Sequence, residues 1–582
     1  MRRTFRCVIA LFAALMLFAA ACGDDKSAED STPTSTSGPA ATTPATTKAP
    51  VTGGTITFGS YSKISGLDPI VGLGHGTSGG IPMQAVYDAL MRYNPITKKY
   101  DPQTAASLAA NADSTEWTLK IKPNIKFSDG TDYDAEAVKF GINRHRVGGG
   151  IAPAQCAEYV ACPRNVTSSA NYVLLIKDIS VVDKLTVKFT TDPWTSFPYL
   201  LSSEAGFIPS PTALKKMCVD PTKAVNTCDF NLKAVGAGPF MVESYKPDDV
   251  IALVRNPTYW NGPVYLDGIR FLDSGDSGGL KSLEALQAGT TQAAFLRDAA
   301  AVADAKAAKI PGFTTPNMGG SILFLNIAAT VNCVGGAPAP LCTGKPDGPT
   351  PSQPNTKDLK VRQAVAAAID PEVINQRAYG GKAKVSASWF TSEFPWDPKV
   401  IGQKFDPEAA KKLVNEAKAA GWNGTVRLLF VNTQVSRDMG LAVQTMLQTV
   451  GITAPMEVKE ATAQQQTVIS TKDFDLTTWG IATGIDDATL FSLVQNLKSD
   501  VTSNRIGFKS LIVDQALNDI RVAKTDAEKT AAYKKIAEEV AAQLPWVNIA
   551  QIDEYSAVTS KVQGATFGGR GYIFFDKAWL DK

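Results

Sequence analysis

The sequence predicts an α/β protein with more than one lobe. Short segments that alternate apolar and polar residues, as β-strands do, are interspersed with longer segments that have the period of amphipathic helices. No repeat of fixed period is present along them. The part of the chain that can build a core, about 530 residues, is too long for one hydrophobic core. Several lobes, built from strands and helices, are therefore expected.

The N-terminus has the pattern of a signal segment that ends at a lipidated cysteine. Three arginines within the first six residues precede an apolar run to Ala21, which is shorter than the ~20 residues of a membrane-spanning helix. The Ala-Ala-Ala-Cys sequence that ends at Cys22 resembles a lipobox, although that pattern prefers Leu at Ala19. We expect residues 1–21 to be removed and Cys22 to be lipidated on the outer face of the cytoplasmic membrane. The alternative is a plain secreted protein.

Residues 22–52 are predicted to be a disordered tether. They are mostly Ser, Thr, Pro, Ala and Gly without apolar periodicity, so they cannot bury a core. A flexible chain of this length spans roughly 25–30 Å, which is enough to hold a folded part off the membrane.

The predicted strands and helices occupy the rest of the chain. Alternating segments are 54–59, 117–122 and 187–191. Amphipathic segments are 135–144, 407–420, 437–450, 488–497 and 527–544. Asp406 is suited to the N-cap of the second helix and Gly421 to its C-terminal end, while Pro545 follows the last helix.

Charge and motifs exclude several functions. The formal net charge of +2 falls to −1 when the three N-terminal arginines are removed, so there is no basic surplus for nucleic acid. There is no second long apolar segment and no GxxxxGK[ST] phosphate loop. We expect no nucleic-acid partner and no cofactor.

Six cysteines besides Cys7 and Cys22 fall in three close pairs. The pairs are Cys156–Cys162, Cys218–Cys228 and Cys333–Cys342, with separations of 6, 10 and 9 residues. In an exported protein this spacing predicts three local disulfides, although six cysteines allow fifteen connectivities. A zinc site is the alternative, but the CxxC and Cys/His spacing is missing and the chain has only two histidines. No metal site is expected.

Four blocks of sequence are informative when they are taken together. They are residues 117–130 (WTLKIKPNIKFSDG), continued to Phe140; 236–240 (GAGPF) with 254–260 (VRNPTYW); 361–370 (VRQAVAAAID) with 379–381 (YGG); and 285–289 (ALQAG). Together they resemble the signature of family 5 extracellular solute-binding proteins, the peptide, opine and nickel receptors of ABC importers. The blocks are interpreted as scaffold, with Arg362 and Asp370 as an ion pair rather than ligand contacts.

The resemblance implies a periplasmic-binding-protein-like type II fold, with three lobes of the cluster C kind, a hinge and an inter-lobe cleft. Lobe I would comprise 53–99, 230–318 and 544–582; an inserted lobe II would span 100–229, and lobe III 319–543. The hinge would lie near Leu325-Asn326 and Asn548-Ile549.

Two other motifs are interpreted as loops. Residues 275–279 (GDSGG) spell the nucleophile segment of trypsin-like proteases, but neither His75 nor His145 lies in the setting of that triad. Residues 72–80 (GLGHGTSGG) contain GxGxxG and GxSxG without the flanking strand–helix unit that either motif needs. The second loop is expected near the mouth of the cleft, where a role in ligand contact stays open.

The best candidate for ligand contact is the stretch 474–487, which resembles the family's ligand-contacting strand and loop. Gly484 stands where peptide receptors place an Asp for the peptide amino terminus, and Thr478 where some place an Arg for a carboxylate. The prediction of a zwitterionic peptide ligand held at both ends is therefore less secure for this chain than for the family. Asp486 and Asp487 either bind an amine or cap the helix at 488–497.

Trp479 either stacks on a ligand or packs inside its lobe. Tyr61 and Asn326 complete the predicted ligand-binding set. We expect a monomeric, lipid-anchored receptor that captures a small solute, an oligopeptide or related compound, by hinge closure and delivers it to an ABC permease with its ATPase subunits. The alternatives are a cell-envelope regulator or scaffold without transport and, more remotely, an extracellular hydrolase. No enzymatic activity is expected.

Overall fold

A computed structural model describes residues 48–582, except 65, 73, 148–154, 156, 162–172, 174, 221–224, 248, 277, 318–320, 483, 502 and 582. The predicted signal peptide, Cys22, most of the tether and the Cys156–Cys162 pair lie outside the described residues. In the part of the chain that is described, no helix combines the length and the apolar character needed to cross a membrane.

The described elements alternate between strands and helices along the chain. The strands are β1 (Thr55–Ser60), β2 (Met91–Asn94), β3 (Lys99–Pro102), β4 (Ala105–Ala110), β5 (Glu116–Ile121), β6 (Ile176–Asp183), β7 (Thr186–Thr191), β8 (Phe240–Lys246), β9 (Val250–Arg255), β10 (Gly268–Asp273), β11 (Ala293–Leu296), β12 (Gly312–Asn317), β13 (Ile322–Leu325), β14 (Thr330–Cys333), β15 (Gly348–Pro351), β16 (Lys384–Val385), β17 (Leu428–Val431), β18 (Met456–Lys459), β19 (Leu476–Trp479), β20 (Trp546–Asn548), β21 (Ala550–Val558), β22 (Val562–Gln563), β23 (Thr566–Phe567), β24 (Ile573–Phe574) and β25 (Trp579–Leu580). The helices are α1 (Gly80–Tyr87), α2 (Ala135–Arg146), α3 (Phe197–Leu201), α4 (Pro211–Met217), α5 (Leu280–Gln287), α6 (Ala299–Ala307), α7 (Leu359–Ala368), α8 (Pro371–Tyr379), α9 (Pro407–Ala419), α10 (Gln434–Thr449), α11 (Ala461–Gln466), α12 (Ala488–Leu497), α13 (Leu511–Val522) and α14 (Asp526–Gln543).

Three larger sheets organise these elements. The first sheet has the order β12-β21-β11-β1-β10-β9-β8, with β16 also paired to β21. The second sheet is antiparallel, with the order β4-β5-β7-β6, and the third has the order β18-β17-β19-β13-β20. In the first sheet β1 lies between β11 and β10 and is parallel to both. The carboxyl ends of these three strands therefore meet at one edge, where open α/β sheets bind ligands.

Separate hydrophobic cores cover these sheets. The core against the first sheet contains Phe58 and Phe271, and the core of the second contains Trp117 and Phe189. Residues of β13 alternate between two cores on opposite faces of the third sheet. All four residues of that strand are buried, because both of its faces are covered. The sheets do not by themselves set the lobe boundaries, which stay a prediction.

The chain passes from the first sheet to the third between β12 and β13, and it returns between β20 and β21 at Ile549. The return lies where the hinge was predicted. The first crossing does not lie near Leu325-Asn326, because Leu325 still pairs with Leu476 inside the third sheet.

Local signals predicted α9, α12 and α14 to within one residue, whereas α10 begins at Gln434, three residues before its predicted start, because Thr433 caps it. α12 has the predicted bounds, and α9 begins after Asp406, whose side chain accepts a hydrogen bond from Ala409 N. α14 begins one residue earlier than predicted, because Thr525 and Glu528 form a capping box. Two of the three predicted disulfides, Cys218–Cys228 and Cys333–Cys342, are present, each with a Cα–Cα distance of 5.3 Å.

The predicted ion pair between Arg362 and Asp370 is wrong. The Arg362 guanidinium donates to the backbone oxygens of Thr356, Lys357 and Gln543. Asp370 accepts a hydrogen bond from Glu372 N and caps α8. Both side chains form hydrogen bonds with backbone groups at helix ends, which lack partners within the helix.

Candidate functional site

A cavity of about 390 Å³ lies between the two sides of the molecule that carry the second and third sheets. One wall includes Tyr93, Tyr100 and Trp117, and the other includes Trp396 and Asp486. Its size is in the range of small-molecule sites, which combine apolar walls with a few polar groups. Tyr93 also donates a hydrogen bond of 3.1 Å across the cavity to Ile485 O. The cavity is therefore bounded by both sides of the molecule.

Asp486 is the buried carboxyl group of this cavity. It is 5% exposed, and its Oδ1 accepts a hydrogen bond of 3.0 Å from Ala488 N at the start of α12. Burial raises the pKa of Asp486 to about 6, and neighbouring Asp487 raises it further, while the bond from Ala488 and the charge of Arg570 oppose the rise. Asp486 therefore caps α12, which was one of the two roles predicted for this residue; the other was binding an amine. A cation that approached Asp486 would also stabilise the ionised carboxylate.

Asp487 lies beside Asp486 but has a cation of its own. Its Oδ1 is 2.8 Å from Lys529 Nζ, and both side chains are almost fully buried. Lys529 Nζ also lies 4.0 Å from the ring centre of Trp396. Trp396 in turn stacks on Tyr533 with ring centres 5.9 Å apart. The charge of Asp487 is thus balanced inside the third-sheet side of the cavity, so Asp486 is the better candidate for a ligand amine.

The other two residues of the predicted set on this side of the molecule have internal contacts. Trp479 stacks on Phe324 with ring centres 6.2 Å apart, and the Arg505 guanidinium carbon lies 5.2 Å from the Trp479 ring centre. Asn326 is fully buried; its Nδ2 donates to two backbone oxygens, and its Oδ1 accepts from Ala328 N and Ala329 N. Trp479 therefore packs within its side of the molecule, and Asn326 holds the end of β13. Their predicted contact with ligand stays a prediction.

Tyr61 belongs to a second polar group of residues, at the carboxyl edge of the first sheet. It follows β1, and Arg297 follows the neighbouring strand β11. Arg297 Nη1 is 3.4 Å from Tyr61 Oη, and its Nε is 3.5 Å from Glu554 Oε1. Glu554 Oε1 also accepts a hydrogen bond of 2.9 Å from Asn317 Nδ2. Arg297 and Glu554 were not identified from the sequence, although Arg297 directly follows a buried strand.

The glycine-rich loop 72–80 packs against the C-terminal segment beside this group. Gly76 N donates a hydrogen bond of 3.0 Å to Arg570 O, and Arg570 Nη1 is 2.9 Å from Glu204 Oε2. A Cβ atom at Gly76 would lie 2.6 Å from Arg570 O, so only glycine permits this approach. The loop places His75 among Glu554, Arg570 and Arg297. Burial lowers the pKa of His75 to about 4, so the imidazole is neutral at pH 7.

The loop at residues 275–279 has an internal polar network. Asp276 accepts hydrogen bonds from the Ser274 and Ser282 hydroxyls and from Ser282 N at the start of α5. Ser277 lies outside the described residues. The GDSGG sequence thus precedes a helix, in agreement with its interpretation as a loop.

Comparison with known proteins identifies the fold and the family. The model of bacterial extracellular solute-binding proteins, family 5 Middle, matches residues 99–502. The chain is 24% identical over 472 residues to the glutathione-binding protein GsiB of Shigella flexneri, covering 79% of this chain and 82% of that protein. It is also 24% identical over 502 residues to the probable D,D-dipeptide-binding periplasmic protein DdpA of Escherichia coli (strain K12), covering 83% and 86%.

A solved structure shows the same architecture. The dipeptide-binding protein from Pseudoalteromonas sp. SM9913, in complex with Met-Leu, is similar with a TM-score of 0.72 and 20% sequence identity. The match covers 91% of this chain and 100% of that structure. The predicted periplasmic-binding-protein type II fold is confirmed.

Proposed function

The chain belongs to the bacterial extracellular solute-binding proteins of family 5, the substrate-binding components of ABC importers, and we propose that its solute is peptide-like and carries a free amine. Relatives are named for glutathione and for dipeptides, which are both peptide-like compounds with an amine. These names are those of binding proteins, which supports a receptor rather than an enzyme. The receptor would release its solute to a permease driven by separate ATPase subunits.

The observation that carries this proposal is the carboxyl group of Asp486 in the 390 Å³ cavity. Asp487 has Lys529 as its partner at 2.8 Å, whereas Asp486 accepts a backbone bond from Ala488 N and is favoured in its charged form only by the more distant charge of Arg570. A ligand ammonium beside Asp486 would compensate this buried negative charge. The rings of Tyr93 and Tyr100 give the same cavity apolar surface for the rest of the solute.

Contacts between the two sides support capture by closure. Thr195 N, on the second-sheet side, donates a hydrogen bond of 2.9 Å to Arg521 O at the end of α13. Phe491 of α12 stacks on Tyr199 with ring centres 4.7 Å apart and joins the core of the second sheet. A solute that binds both sides would favour this closed arrangement, because it interacts less with an open one.

Titration calorimetry with peptides tests the proposal. The probes are Met-Leu and glutathione, each with a free and with an N-acetylated amino group. We expect the free amines to bind about 10- to 100-fold more tightly than the acetylated forms, the effect of one charge-assisted hydrogen bond. Asp486→Asn should abolish this preference.

Asp438→Asn is the matched control, because Asp438 is half-buried on α10, outside the lining of the cavity, and its carboxylate accepts hydrogen bonds from Gln434. Equal affinity of free and acetylated peptides for the wild type would contradict the amine contact. Failure of every probe to bind would contradict a peptide-like solute.

We also propose that Cys22 carries the lipid anchor. A tether of 30 residues separates it from the folded part, and membrane attachment then depends on the lipid alone. Cys22→Ala in cells should stop lipidation, release or mislocalise the protein, and change its electrophoretic mobility. A variant that stays in the membrane fraction with unchanged mobility would contradict lipidation.

A further inference from the structure

Arg297 is a largely buried cation that its neighbours satisfy poorly. Its side chain is 19% exposed. The closest polar partners of the guanidinium among the described residues are Tyr61 Oη at 3.4 Å and Glu554 Oε1 at 3.5 Å. Charge-assisted bonds between a guanidinium and a carboxylate are usually 2.7–2.9 Å long and often bidentate. The planar fork of Arg297 is therefore not engaged by a carboxylate.

The neighbouring ion pair shows that the local backbone does not prevent good geometry. Arg570 Nη1 lies 2.9 Å from Glu204 Oε2, and these side chains are also buried. Arg297 differs in that its closest contact with Glu554, from Nε, is 3.5 Å long. One of its Nη groups makes a long contact of 3.4 Å with Tyr61 Oη, which a planar anion could replace.

Glu554 contacts Arg297 without forming a short, bidentate ion pair with it. One oxygen of Glu554, Oε1, is shared between Arg297 Nε and Asn317 Nδ2. The other, Oε2, is buried and has no hydrogen-bond partner within the described residues. Two opposite charges are thus held side by side without a bidentate contact, an arrangement that stabilises a fold less than a well-formed pair.

The position of Arg297 in the fold is that of a ligand group. Arg297 and Tyr61 directly follow the adjacent parallel strands β11 and β1, at the edge where ligands of open α/β sheets bind. The side chains of Arg297 and Tyr61 therefore lie together at that edge.

We propose that Arg297, assisted by the hydroxyl group of Tyr61, binds a carboxylate of the solute. The inference rests on the proposed function, because it assigns the acidic end of the same peptide-like ligand. Thr478 stands where some receptors of the family have an arginine for a carboxylate. In this chain the cation would come instead from the first sheet.

Matched acids and amides test the inference. The probes are the dipeptides Met-Leu and Ala-Phe, each with a single carboxylate, as free acids and as their C-terminal carboxamides, measured by titration calorimetry against the wild type and Arg297→Gln. We expect the wild type to prefer the acids by about 10- to 100-fold, and Arg297→Gln to lose this preference while its affinity for the amides stays within about threefold.

Two further variants keep the test decisive. Arg297→Gln leaves Glu554 without a cation and could fail to fold, so the double variant Arg297→Gln/Glu554→Gln removes both charges and should show the same loss of preference. Arg437→Gln is the control, since Arg437 is half-buried at the start of α10 and donates hydrogen bonds to Asn432 and Gln434, which are far along the chain from the residues of the proposed contact.

Each outcome decides the inference. Loss of the acid preference in the Arg297 variants but not in the control supports the carboxylate contact. A wild type that binds acids and amides equally, or variants that keep the preference, would overturn it and leave the proposed receptor function intact. A wild type that binds none of the four probes would overturn both proposals.

Discussion

Two buried arginines, Arg144 and Arg297, differ in how completely their surroundings satisfy them. Arg144 forms a bidentate pair with Asp68, with both N–O distances 2.7 Å, and its Nε donates to Tyr159 O. The Arg144 and Asp68 side chains are 1% and 0% exposed. Arg297 has one contact of 3.5 Å to Glu554. The first pair is part of the folded framework, whereas the second retains donors for a ligand.

The largest expected effect comes from breaking the framework pair. Arg144→Met leaves the Asp68 carboxylate buried without its cation, so we expect a loss of about 3–5 kcal/mol in the free energy of unfolding. Denaturant unfolding followed by circular dichroism measures it. The affinity of the folded fraction for peptides should not change.

Arg297→Met sharpens the contrast in the same assay. It should cost clearly less free energy of unfolding than Arg144→Met but weaken the binding of peptide acids. An equal loss of stability in the two variants would show that Arg297 belongs to the framework and would contradict the distinction.

The next effect concerns Asp486, a carboxyl group without a cation partner of the kind that Asp68 has. Its pKa of about 6 in the folded protein is above that of the unfolded chain, so the folded protein holds a proton that the unfolded chain releases. The associated stability is present below about pH 4 and is lost as the pH rises through 6, by about 3 kcal/mol in total. Asp486→Asn should remove this dependence.

The free energy of unfolding is measured from pH 4 to 7 in the wild type and in Asp486→Asn. The difference between the two profiles is the contribution of Asp486. The difference is needed because the lowered pKa of His75 makes the protein lose stability as the pH falls from 6.5 to 4. Identical pH profiles for both proteins would contradict the raised pKa. The affinity for free amines should also fall as the pH drops below 6.

A smaller effect is expected at Asp487. Lys529→Met removes the cation 2.8 Å from Asp487, and we expect a loss of about 1.5–3 kcal/mol in the free energy of unfolding, the range for a charge-assisted hydrogen bond. Asp487→Asn combined with Lys529→Met should recover part of this loss. A Lys529→Met protein as stable as the wild type would show that the Asp487 charge is solvated.

The smallest effect is expected at Tyr61. Tyr61→Phe removes only the hydroxyl group beside Arg297, so affinity for peptide acids should fall by about two- to tenfold, the effect of one neutral hydrogen bond. Stability should stay within about 0.5 kcal/mol, because the ring still packs on Phe295 with ring centres 6.0 Å apart. A change in amide affinity equal to that in acid affinity would exclude a contact with the carboxylate.

The sequence by itself determined the local structure of this protein. The bounds of α12, the N-cap of α9 and the bonds Cys218–Cys228 and Cys333–Cys342 depend on residues close together in the chain. Apolar periodicity and capping chemistry act over a few residues, so they can be identified without knowledge of the fold. The family blocks extended this local information to the type II fold.

Only the tertiary structure decided which charged groups meet. Arg297 and Glu554 are far apart in the chain and come together because β21 pairs with β11 in the first sheet. Arg362 was assigned the wrong partner for the same reason, since the carbonyl groups that it contacts include Gln543 O at the end of a distant helix. The partners of a long charged side chain depend on the burial and the neighbours that the whole fold supplies, and sequence spacing carries no record of them.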